Sequence, residues 1–241
     1  MKKRYLFFSA RYLPYLGGVE RYTYNLAKYL TKAGNQVIII TSLIGEEPVH
    51  EIREEAEIFR LPSFNLLNGR FPVLKINRKT NNIFRTLQKI KIDYAVINTR
   101  FYPLSYRGSA FARKNRIPAI CIEHGTGHFT VNNKLLDHAG HLYEHFISFL
   151  INRNIKNYYG VSFECNKWLK HFNIDAKGVL YNAIDGQEIQ NLSMKRNKEI
   201  EKEIQYNEKD IIITFTGRLI KEKGVTKLIS AFQEIKEKYP N

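Results

Sequence analysis

The chain has 241 residues, of which 44% are hydrophobic and 25% charged, so it can bury a core and is not a disordered tail. Its 38 basic residues exceed its 23 acidic ones, and the net charge of +15 favours a polyanionic partner: a nucleic acid, an anionic membrane or a phosphorylated substrate. Only two cysteines occur, one of them in the apolar run around Cys121, which argues against a disulfide-stapled secreted fold and favours the cytoplasm; no apolar run is long enough to cross a membrane.

Short apolar strands alternate with helices from the start of the chain to residue 181. Runs of β-branched residues predict strands, and apolar residues spaced three and four apart predict helices. Strands are expected at 5–9, 36–41, 57–61, 94–98, 118–123, 158–162 and 178–181. Helices are expected at 19–33, 79–91, 104–115, 134–154 and 164–172. The alternation predicts an α/β fold with a doubly wound, Rossmann-like parallel sheet of about six or seven strands.

The character of the sequence changes after Asp185. Residues 189–208 are polar and indicate a linker with some helix, whereas 211–216 and 225–239 indicate one more strand and one more helix. One strand and one helix cannot bury a core, so we expect them to open a second α/β domain. The predicted organisation is a first domain over 1–185, a linker over 186–209 and the start of a second domain over 210–241.

Ligands of open α/β sheets bind beyond the carboxyl ends of the strands, and three segments of this sequence follow predicted strands in that way. The first is Gly17-Gly18, which precedes the first helix. Glycines let the backbone approach a ligand closely, and a helix N-terminus favours an anion. The alternative is an ordinary strand-to-helix turn, and spacing alone does not choose between them. The absence of Gly-x-Gly-x-x-Gly disfavours a dinucleotide site.

The second candidate segment directly follows a buried strand and reads Glu123-His124-Gly125-Thr126-Gly127-His128. A histidine at that place can donate a hydrogen bond to a substrate hydroxyl or phosphate. The alternative is a loop histidine bonded to the backbone. Two histidines and a glutamate also suggest a metal, but no third ligand has convincing spacing, so no metal site is predicted.

The third candidate segment joins the predicted strand 211–216 to the predicted helix 225–239 and reads GRLIKEKG over residues 217–224. Arg218 offers a bidentate fork for phosphate, and Lys223 offers a point charge beside a helix N-terminus. This arrangement predicts a diphosphate clamp. The alternative is a solvated run of charges, but two glycines that flank the run at a strand-to-helix turn favour the clamp.

Together these segments resemble the retaining glycosyltransferases of family 4, which have the GT-B fold. The motifs that carry the resemblance are Pro14 with GGVER at 17–21, GNQV at 34–37, EHGT at 123–126, GVS at 160–162, YNAID at 181–185, FTGRL at 215–219 and EKG at 222–224. Ala183 stands where the family has glycine. The resemblance spans the whole chain, and its last segment is the most specific. It implies an N-terminal Rossmann-like acceptor domain followed by the opening of a donor domain.

The resemblance implies transfer of a sugar, with retention, from a nucleotide-sugar substrate to a glycan, polysaccharide or lipid-linked acceptor, without a further cofactor or a metal. In the family, the glycine loop lies near the donor phosphates and the acceptor, which gives that role to Gly17 and Gly18. The histidine contacts the sugar, so His124 takes that role, and Arg218 and Lys223 hold the diphosphate and stabilise the leaving group. The implied catalytic residues are His124, Arg218 and Lys223, and the implied binding residues are Gly17, Gly18, Glu123, His124, Asn182, Arg218 and Lys223.

One departure from the family pattern bears on activity. The family's paired glutamates, spaced Glu-x7-Glu, lie deep in the second domain and bind the donor sugar and ribose, and this sequence ends before them. We therefore expect the 241-residue chain alone to turn over nucleotide sugar poorly or not at all.

The positive charge is concentrated between Arg70 and Arg116, where twelve basic residues stand against a single acid, Asp93. Right-handed crossovers bring the predicted helices 79–91 and 104–115 together on one face of the sheet. Such a face suits anionic lipid headgroups and favours peripheral attachment to the inner face of a membrane, the alternative being plain solvation of surface helices. The residues expected to contact the membrane are Lys75, Arg78, Lys79 and Arg85.

Two other functions remain open from the sequence. A basic α/β domain can bind RNA or DNA, but no nucleic-acid-binding signature occurs and few aromatic residues are interleaved with the cations, so no nucleic-acid partner is expected. A non-catalytic subunit can use half of a GT-B fold to hold an acceptor or a partner chain. Retention on random nucleic acid compared with anionic liposomes separates the first of these from a membrane-bound enzyme.

Overall fold

The computed structural model of the protein describes residues 2–194, 202–203, 207, 211–217, 219 and 223–239. The chain divides into two compact units, Met1–Asp185 and Gly186–Asn241. The first unit holds the sheet and most of the candidate residues. Its described helices include none that is long and apolar enough to cross a membrane, and the same holds for the described part of the second unit.

A nine-stranded, mainly parallel sheet forms the centre of the first unit within residues 2–194. Its strands are β1 (Arg4–Ser9), β2 (Gln36–Leu43), β3 (His50–Ile52), β4 (Glu57–Leu66), β5 (Phe71–Leu74), β6 (Tyr94–Asn98), β7 (Ala119–Glu123), β8 (Tyr158–Gly160) and β9 (Gly178–Val179). Seven strands run parallel in the order β4-β2-β1-β6-β7-β8-β9, which confirms the predicted fold class. The expected six or seven strands missed β3 and β5, which pair antiparallel with β4.

Five helices cover the sheet within the same residues: α1 (Gly18–Lys32), α2 (Arg78–Gln88), α3 (Pro103–Lys114), α4 (Lys134–Asn154) and α5 (Phe163–Lys170). Side chains cap three of them, because Asn77, Asn133 and Ser162 accept hydrogen bonds from the backbone N–H groups of the first turns of α2, α4 and α5. Beyond α1, Gly34 has a φ of +83°, the left-handed conformation in which a glycine commonly ends a helix.

The two faces of the sheet bury separate cores, as the alternation of side chains along β1 requires. Leu6 and Phe8 face the core shared with α2, α3 and α4, whereas Phe7 faces the core shared with α1. Gly108 lets α3 pack directly on the sheet, because a Cβ there would overlap the ring of Phe8. This glycine, which lowers intrinsic helix stability, is therefore required by the packing of α3 on the sheet.

The second unit is described only in part. It contains α6 (Gly186–Ser193) and α7 (Val225–Lys238), and Gly224 precedes α7 with a φ of +76°. Residues 211–216, where the sequence predicts a strand, form no strand pairing with any other described residue.

Candidate functional site

The order of the parallel strands reverses at β1. From β1 the chain winds one way through β2 to β4 and the other way through β6 to β9, so the switch point lies between β1 and β6. Crevices outside the carboxyl ends of strands at a switch point are the usual ligand sites of such sheets. Here Asn98 ends β6, Glu123 ends β7 and the Gly17-Gly18 loop follows β1.

A chain of hydrogen bonds crosses this point from β7 to α1. The Nε2 atom of His124 lies 3.2 Å from Oδ1 of Asn98, and Nδ2 of Asn98 donates to Oγ1 of Thr23 at 2.8 Å. The Thr23 hydroxyl in turn donates to the backbone carbonyl of Val19 at 2.8 Å. Since the Asn98 oxygen can only accept, the chain assigns the proton of the imidazole to Nε2, which leaves Nδ1 of His124 as an acceptor.

Burial keeps His124 uncharged. It lowers the pKa of this histidine to about 4, because a positive imidazole loses its hydration there. The ring of Tyr22 meets that of His124 in an edge-on contact with centroids 4.9 Å apart. At neutral pH, His124 is therefore a neutral hydrogen-bonding group. Its Nδ1 atom can accept a hydrogen bond from a hydroxyl group, whereas the sequence predicts a hydrogen-bond donor.

This lowered pKa predicts a pH dependence of stability. The folded protein disfavours the charged imidazole, so His124 contributes stability that is fully present above its ordinary pKa of about 6.5 and is lost as pH falls toward 4. Between pH 7 and pH 5 we expect this histidine to account for a fall of about 2 kcal/mol in the free energy of unfolding. Denaturant titrations at both pH values should show a shallower fall in His124→Gln, and an identical fall in both proteins would contradict the account.

Arg100 forms a buried ion-pair network behind His124. Its Nε atom lies 3.3 Å from Oε2 of Glu123, and its Nη2 atom lies 3.6 Å from Oε2 of Glu144. All three side chains are at most 3% exposed, and the guanidinium stacks 3.6 Å from the ring centroid of Phe172. Burial raises the pKa of Glu123, while Arg100 and the N–H groups of residues 124 and 125 oppose the rise.

Glu123 shapes the loop that carries His124. Its Oε1 atom accepts hydrogen bonds from the backbone N–H of His124 at 3.0 Å and of Gly125 at 2.9 Å. Directly after the neighbouring strand β6, Thr99 has a φ of +60°, which a β-branched residue rarely adopts and which costs about 1–3 kcal/mol. The turn at Thr99 directs Asn98 toward His124 and Arg100 toward Glu123. The end of β6 therefore supplies one residue to the hydrogen-bond chain and another to the buried ion pairs.

A carboxylate of the chain itself occupies the glycine loop. Gly17 precedes α1 in extended conformation, and a Cβ on Gly17 would overlap the carboxylate of Glu20. Glu20 is buried and lies 3.5 Å from Nε of Arg11. Gly18, by contrast, has open space where a Cβ would stand. The helix N-terminus thus attracts negative charge, as expected, and here that charge is Glu20.

Three candidate residues remain, one in the first unit and two in the second. Asn182 is exposed in the segment after β9, which Asn25 of α1 contacts through a 3.5 Å hydrogen bond to the carbonyl of Ala183. Lys223 is exposed just before Gly224 and α7 in the second unit. Arg218 lies outside the described residues.

The basic helices lie together as predicted. Arg107 of α3 contacts Asn81 of α2 at 3.4 Å and lies over the ring of Phe84. Arg100, one of the twelve basic residues counted between 70 and 116, does not belong to the basic surface, because it is buried against two glutamates. The other eleven are exposed or half-buried. Of the four residues expected at a membrane, Lys75 is half-buried and the others are exposed, namely Arg78, Lys79 and Arg85.

An apolar cavity of about 420 Å³ opens beside the loops that follow β4, β6 and β7. Its walls include Leu66, Phe71, Phe101, Phe129 and Tyr143, and the first turns of α4 close one side at residues 136–140. Glu144, the partner of Arg100, also lines it. The cavity therefore adjoins the buried network and accepts an apolar group.

Sequence reasoning missed Thr23, Asn98 and Arg100. The rule that ligands bind beyond strand ends also applies to β6, and it would have marked Asn98 and Arg100, which end and follow that strand. No signal marked Thr23, which falls on the buried side of α1. Only the packing of α1 against β6 brings it to Asn98.

Comparison with known proteins decides the family. The sequence model of glycosyltransferase family 4 matches residues 16–188, which include the glycine loop, Asn98 and His124. The chain belongs to glycosyltransferase family 4. This agrees with the resemblance carried by its motifs.

Two relatives align with almost the whole of this family 4 chain. An uncharacterized glycosyltransferase of Methanocaldococcus jannaschii is 26% identical over 248 residues, covering 98% of the chain and 62% of that protein. The alpha-monoglucosyldiacylglycerol synthase of Acholeplasma laidlawii is 24% identical over 267 residues, covering 97% of the chain and 60% of that protein. The chain thus spans about three fifths of the length of these relatives.

Solved structures share the fold of this family 4 protein. Sucrose-phosphate synthase from Thermosynechococcus elongatus superposes with a TM-score of 0.63 at 15% identity, covering 97% of the chain and 60% of that structure. The Anabaena protein HepE, solved in complex with UDP, gives a TM-score of 0.51 at 15% identity, covering 85% of the chain and 49% of that structure. At such identities the likeness establishes the fold alone.

Proposed function

We propose that the protein transfers a sugar from a nucleotide-sugar donor to an acceptor with retention of the anomeric configuration. The observation that carries the proposal is the family 4 match over the segment that holds the switch-point residues. A neutral histidine beyond the carboxyl end of a strand, with one nitrogen fixed by Asn98, suits recognition of a sugar hydroxyl. The Anabaena structure with UDP makes UDP-sugars the first donors to test.

Each candidate residue has a role in this proposal. The Nδ1 atom of His124 accepts a hydrogen bond from a hydroxyl of the donor sugar, and Gly17 and Gly18 border the donor phosphates and the acceptor. Arg218 and Lys223 hold the diphosphate and stabilise it as it leaves. Glu123 holds the His124 loop in place through its two backbone hydrogen bonds, and Asn182 is assigned to donor or acceptor binding.

The test is turnover by the intact protein as its cell makes it. A panel of nucleotide sugars is offered with lipid and oligosaccharide acceptors, and release of nucleoside diphosphate is followed together with the glycosylated product. Acceptor-dependent release supports the proposal. A folded protein that binds and turns over no member of the panel would favour a non-catalytic subunit instead.

We further propose that the acceptor is a lipid whose apolar part occupies the cavity beside β7. The cavity is walled by aromatic and aliphatic side chains and adjoins the end of the strand that leads to His124. Arg70 lies at its margin, with its guanidinium 5.0 Å from the ring centroid of Phe129, and suits a polar headgroup. The relative from Acholeplasma laidlawii, by its name, glucosylates a diacylglycerol lipid.

A substitution in α4 separates acceptor binding from folding. Gly140 lines the cavity and has open space where a Cβ would stand, so the side chain in Gly140→Leu can start into the cavity and should fill part of its volume. Leucine also favours a helix interior over glycine by about 1 kcal/mol. We therefore expect Gly140→Leu to unfold at higher temperature and to show a KM for diacylglycerol raised by about tenfold or more, the equivalent of about 1.4 kcal/mol.

The matched control is Gly140→Ala, which gains at least as much helix propensity as Gly140→Leu and adds only a methyl group, so the cavity stays open. It should be stabilised and keep the KM of the unchanged protein. If Gly140→Leu uses diacylglycerol as well as Gly140→Ala does, the cavity is not the acceptor site.

The basic face of α2 and α3 is proposed to rest on an anionic membrane. Beside it, α4 exposes Leu142, Phe146 and Phe149 by 62%, 60% and 59%, at the spacing of one helix face. Exposed apolar side chains next to a basic surface suit an interfacial site, where cations meet lipid phosphates and apolar groups enter the acyl boundary. A membrane-bound enzyme would meet its lipid acceptor there.

Co-sedimentation with vesicles across a salt series measures this attachment. We expect binding to anionic vesicles that weakens with salt, and little binding to neutral ones. Each basic residue near the membrane surface contributes about 1 kcal/mol to binding. Replacing four of them by glutamine in one variant should therefore weaken binding by a few kcal/mol at most. The residues to change are Lys75, Arg78, Lys79 and Arg85.

The control carries the same loss of charge elsewhere on the first unit, at exposed lysines outside the basic helices. These are Lys32, Lys156, Lys170 and Lys177. If vesicle binding weakens equally in the two quadruple variants, the net charge of the protein alone drives binding. Equal binding to anionic and neutral vesicles, or none to either, would remove the membrane proposal.

A further inference from the structure

Four of the seven histidines gather in one cluster that the proposed sugar transfer does not use. His128 comes from the loop after β7, His141 and His145 come from α4, and His171 directly follows α5. The rings of His128 and His141 stack with centroids 3.9 Å apart, and those of His145 and His171 lie 4.8 Å apart. Three separate elements thus bring their imidazoles to one place.

The distances between ring nitrogens suit a tetrahedral metal ion. One nitrogen from each of His128, His145 and His171 lies within 4.8 Å of the other two, and Nε2 of His145 is 3.2 Å from Nε2 of His171. Zinc–nitrogen bonds of about 2.0–2.1 Å in tetrahedral geometry separate neighbouring ligands by about 3.3 Å. One pair already has this spacing. The other separations exceed this spacing by at most about 1.5 Å, which rotation of the exposed His145 and His171 side chains can cover.

A carboxylate orients His128 in the way that metal-binding histidines are oriented. Its Nδ1 atom lies 3.0 Å from Oε2 of Glu144, which leaves Nε2 as the atom for a metal. Glu144 is buried, accepts the backbone N–H of Phe129 at 2.8 Å and is paired with Arg100. The outer partner of this ligand is therefore itself fixed by the fold.

We propose that His128, His145 and His171 bind a zinc ion whose fourth position is open to water. Imidazole nitrogens suit zinc, and three of them with an open position form a known type of zinc coordination. His141, one turn before His145, stacks on His128 and holds its ring in position. The ion ties the loop after β7, which also carries His124, to α4 and α5. It takes no step in sugar transfer, and the proposal stands independently of the proposed function.

The alternative is a simple hydrogen bond between the imidazoles of His145 and His171, with no ion. Binding measurements on the intact protein, prepared without a polyhistidine tag and stripped by a chelator, separate the two. We expect one equivalent of Zn²⁺, measured by competition with a chromophoric chelator. We also expect the intense visible absorption of tetrahedral Co²⁺ when cobalt is substituted, and a higher melting temperature with Zn²⁺ but not with Mg²⁺.

Variants assign the site to these residues. Loss of an outer partner typically weakens metal binding by about 10–100-fold, so loss of a ligand in His145→Gln or His171→Gln should weaken it by at least about 100-fold. Both histidines are exposed, and circular dichroism verifies that the variants fold. His138→Gln, on the same helix but outside the cluster, should bind zinc normally. The proposal is overturned if no stoichiometric zinc binds, or if His145→Gln and His138→Gln bind it equally.

Discussion

Alanine at Arg218 or Lys223 is expected to lower the turnover of the intact protein by about a hundredfold to a thousandfold. Negative charge builds on the diphosphate as the sugar–phosphate bond breaks, and these two cations are assigned to that charge. A helix N-terminus adds its own partial positive charge, since Lys223 immediately precedes Gly224 and α7. Because the charge is greatest in the transition state, kcat should fall more than donor affinity.

The same kinetic series includes two comparisons. His124→Ala should cost less than either cation, because this side chain accepts one hydrogen bond from a hydroxyl. Lys236→Ala, on the exposed surface of α7, should leave turnover unchanged. Near-normal turnover in Arg218→Ala and Lys223→Ala would contradict their assignment to the diphosphate. The chain would still belong to family 4, but its diphosphate-binding residues would be unidentified.

Replacing Arg100 by methionine is expected to destabilise the protein by about 3–5 kcal/mol. The substitution keeps much of the apolar volume but leaves Glu123 and Glu144 as buried carboxylates without their cation. Their charged forms then keep only hydrogen bonds from backbone N–H groups and from His128, without a cation, in a medium of low dielectric constant. Denaturant unfolding measures the loss, and protonation of Glu123, whose pKa burial already raises, should make the deficit smaller at low pH than at high pH.

Arg85→Met is the matched control for this prediction, because Arg85 is exposed on α2 and its removal should change stability by no more than about 0.5 kcal/mol. Arg100→Lys retains a charge but loses the planar fork, and should fall between the two. If Arg100→Met were as stable as Arg85→Met, the buried network would contribute nothing to the fold.

The sequence predicted the elements that depend on local pattern. The apolar runs of β1, β2 and β6 predict buried strands, and the helix predicted over 134–154 coincides with α4, which the structure shows to be capped by Asn133. By contrast, β3 and β5 have three and four residues and exist through pairing with β4, so local pattern could not reveal them.

The candidate site divides in the same way. The position of His124 after a buried strand was visible in the sequence, but its neutral state depends on burial and its tautomer on Asn98 and Thr23, which other elements supply. Arg100 was counted with surface cations because charge alone does not reveal an ion pair with distant glutamates. The histidine cluster was missed because His128, His145 and His171 lie far apart in the sequence. Their spacing matches no common metal-binding motif, and only the fold brings them together.

The central claim is sugar transfer, and the most direct test follows the anomeric centre of the product. The intact protein is incubated with UDP-sugars in turn, together with anionic vesicles that contain diacylglycerol, and the product is examined by proton NMR. The account predicts one nucleoside diphosphate for each glycosylated acceptor, with the anomeric configuration of the donor retained. An inverted product would contradict retention, and a folded protein that forms no glycosylated product with any nucleotide sugar or acceptor would contradict the claim itself.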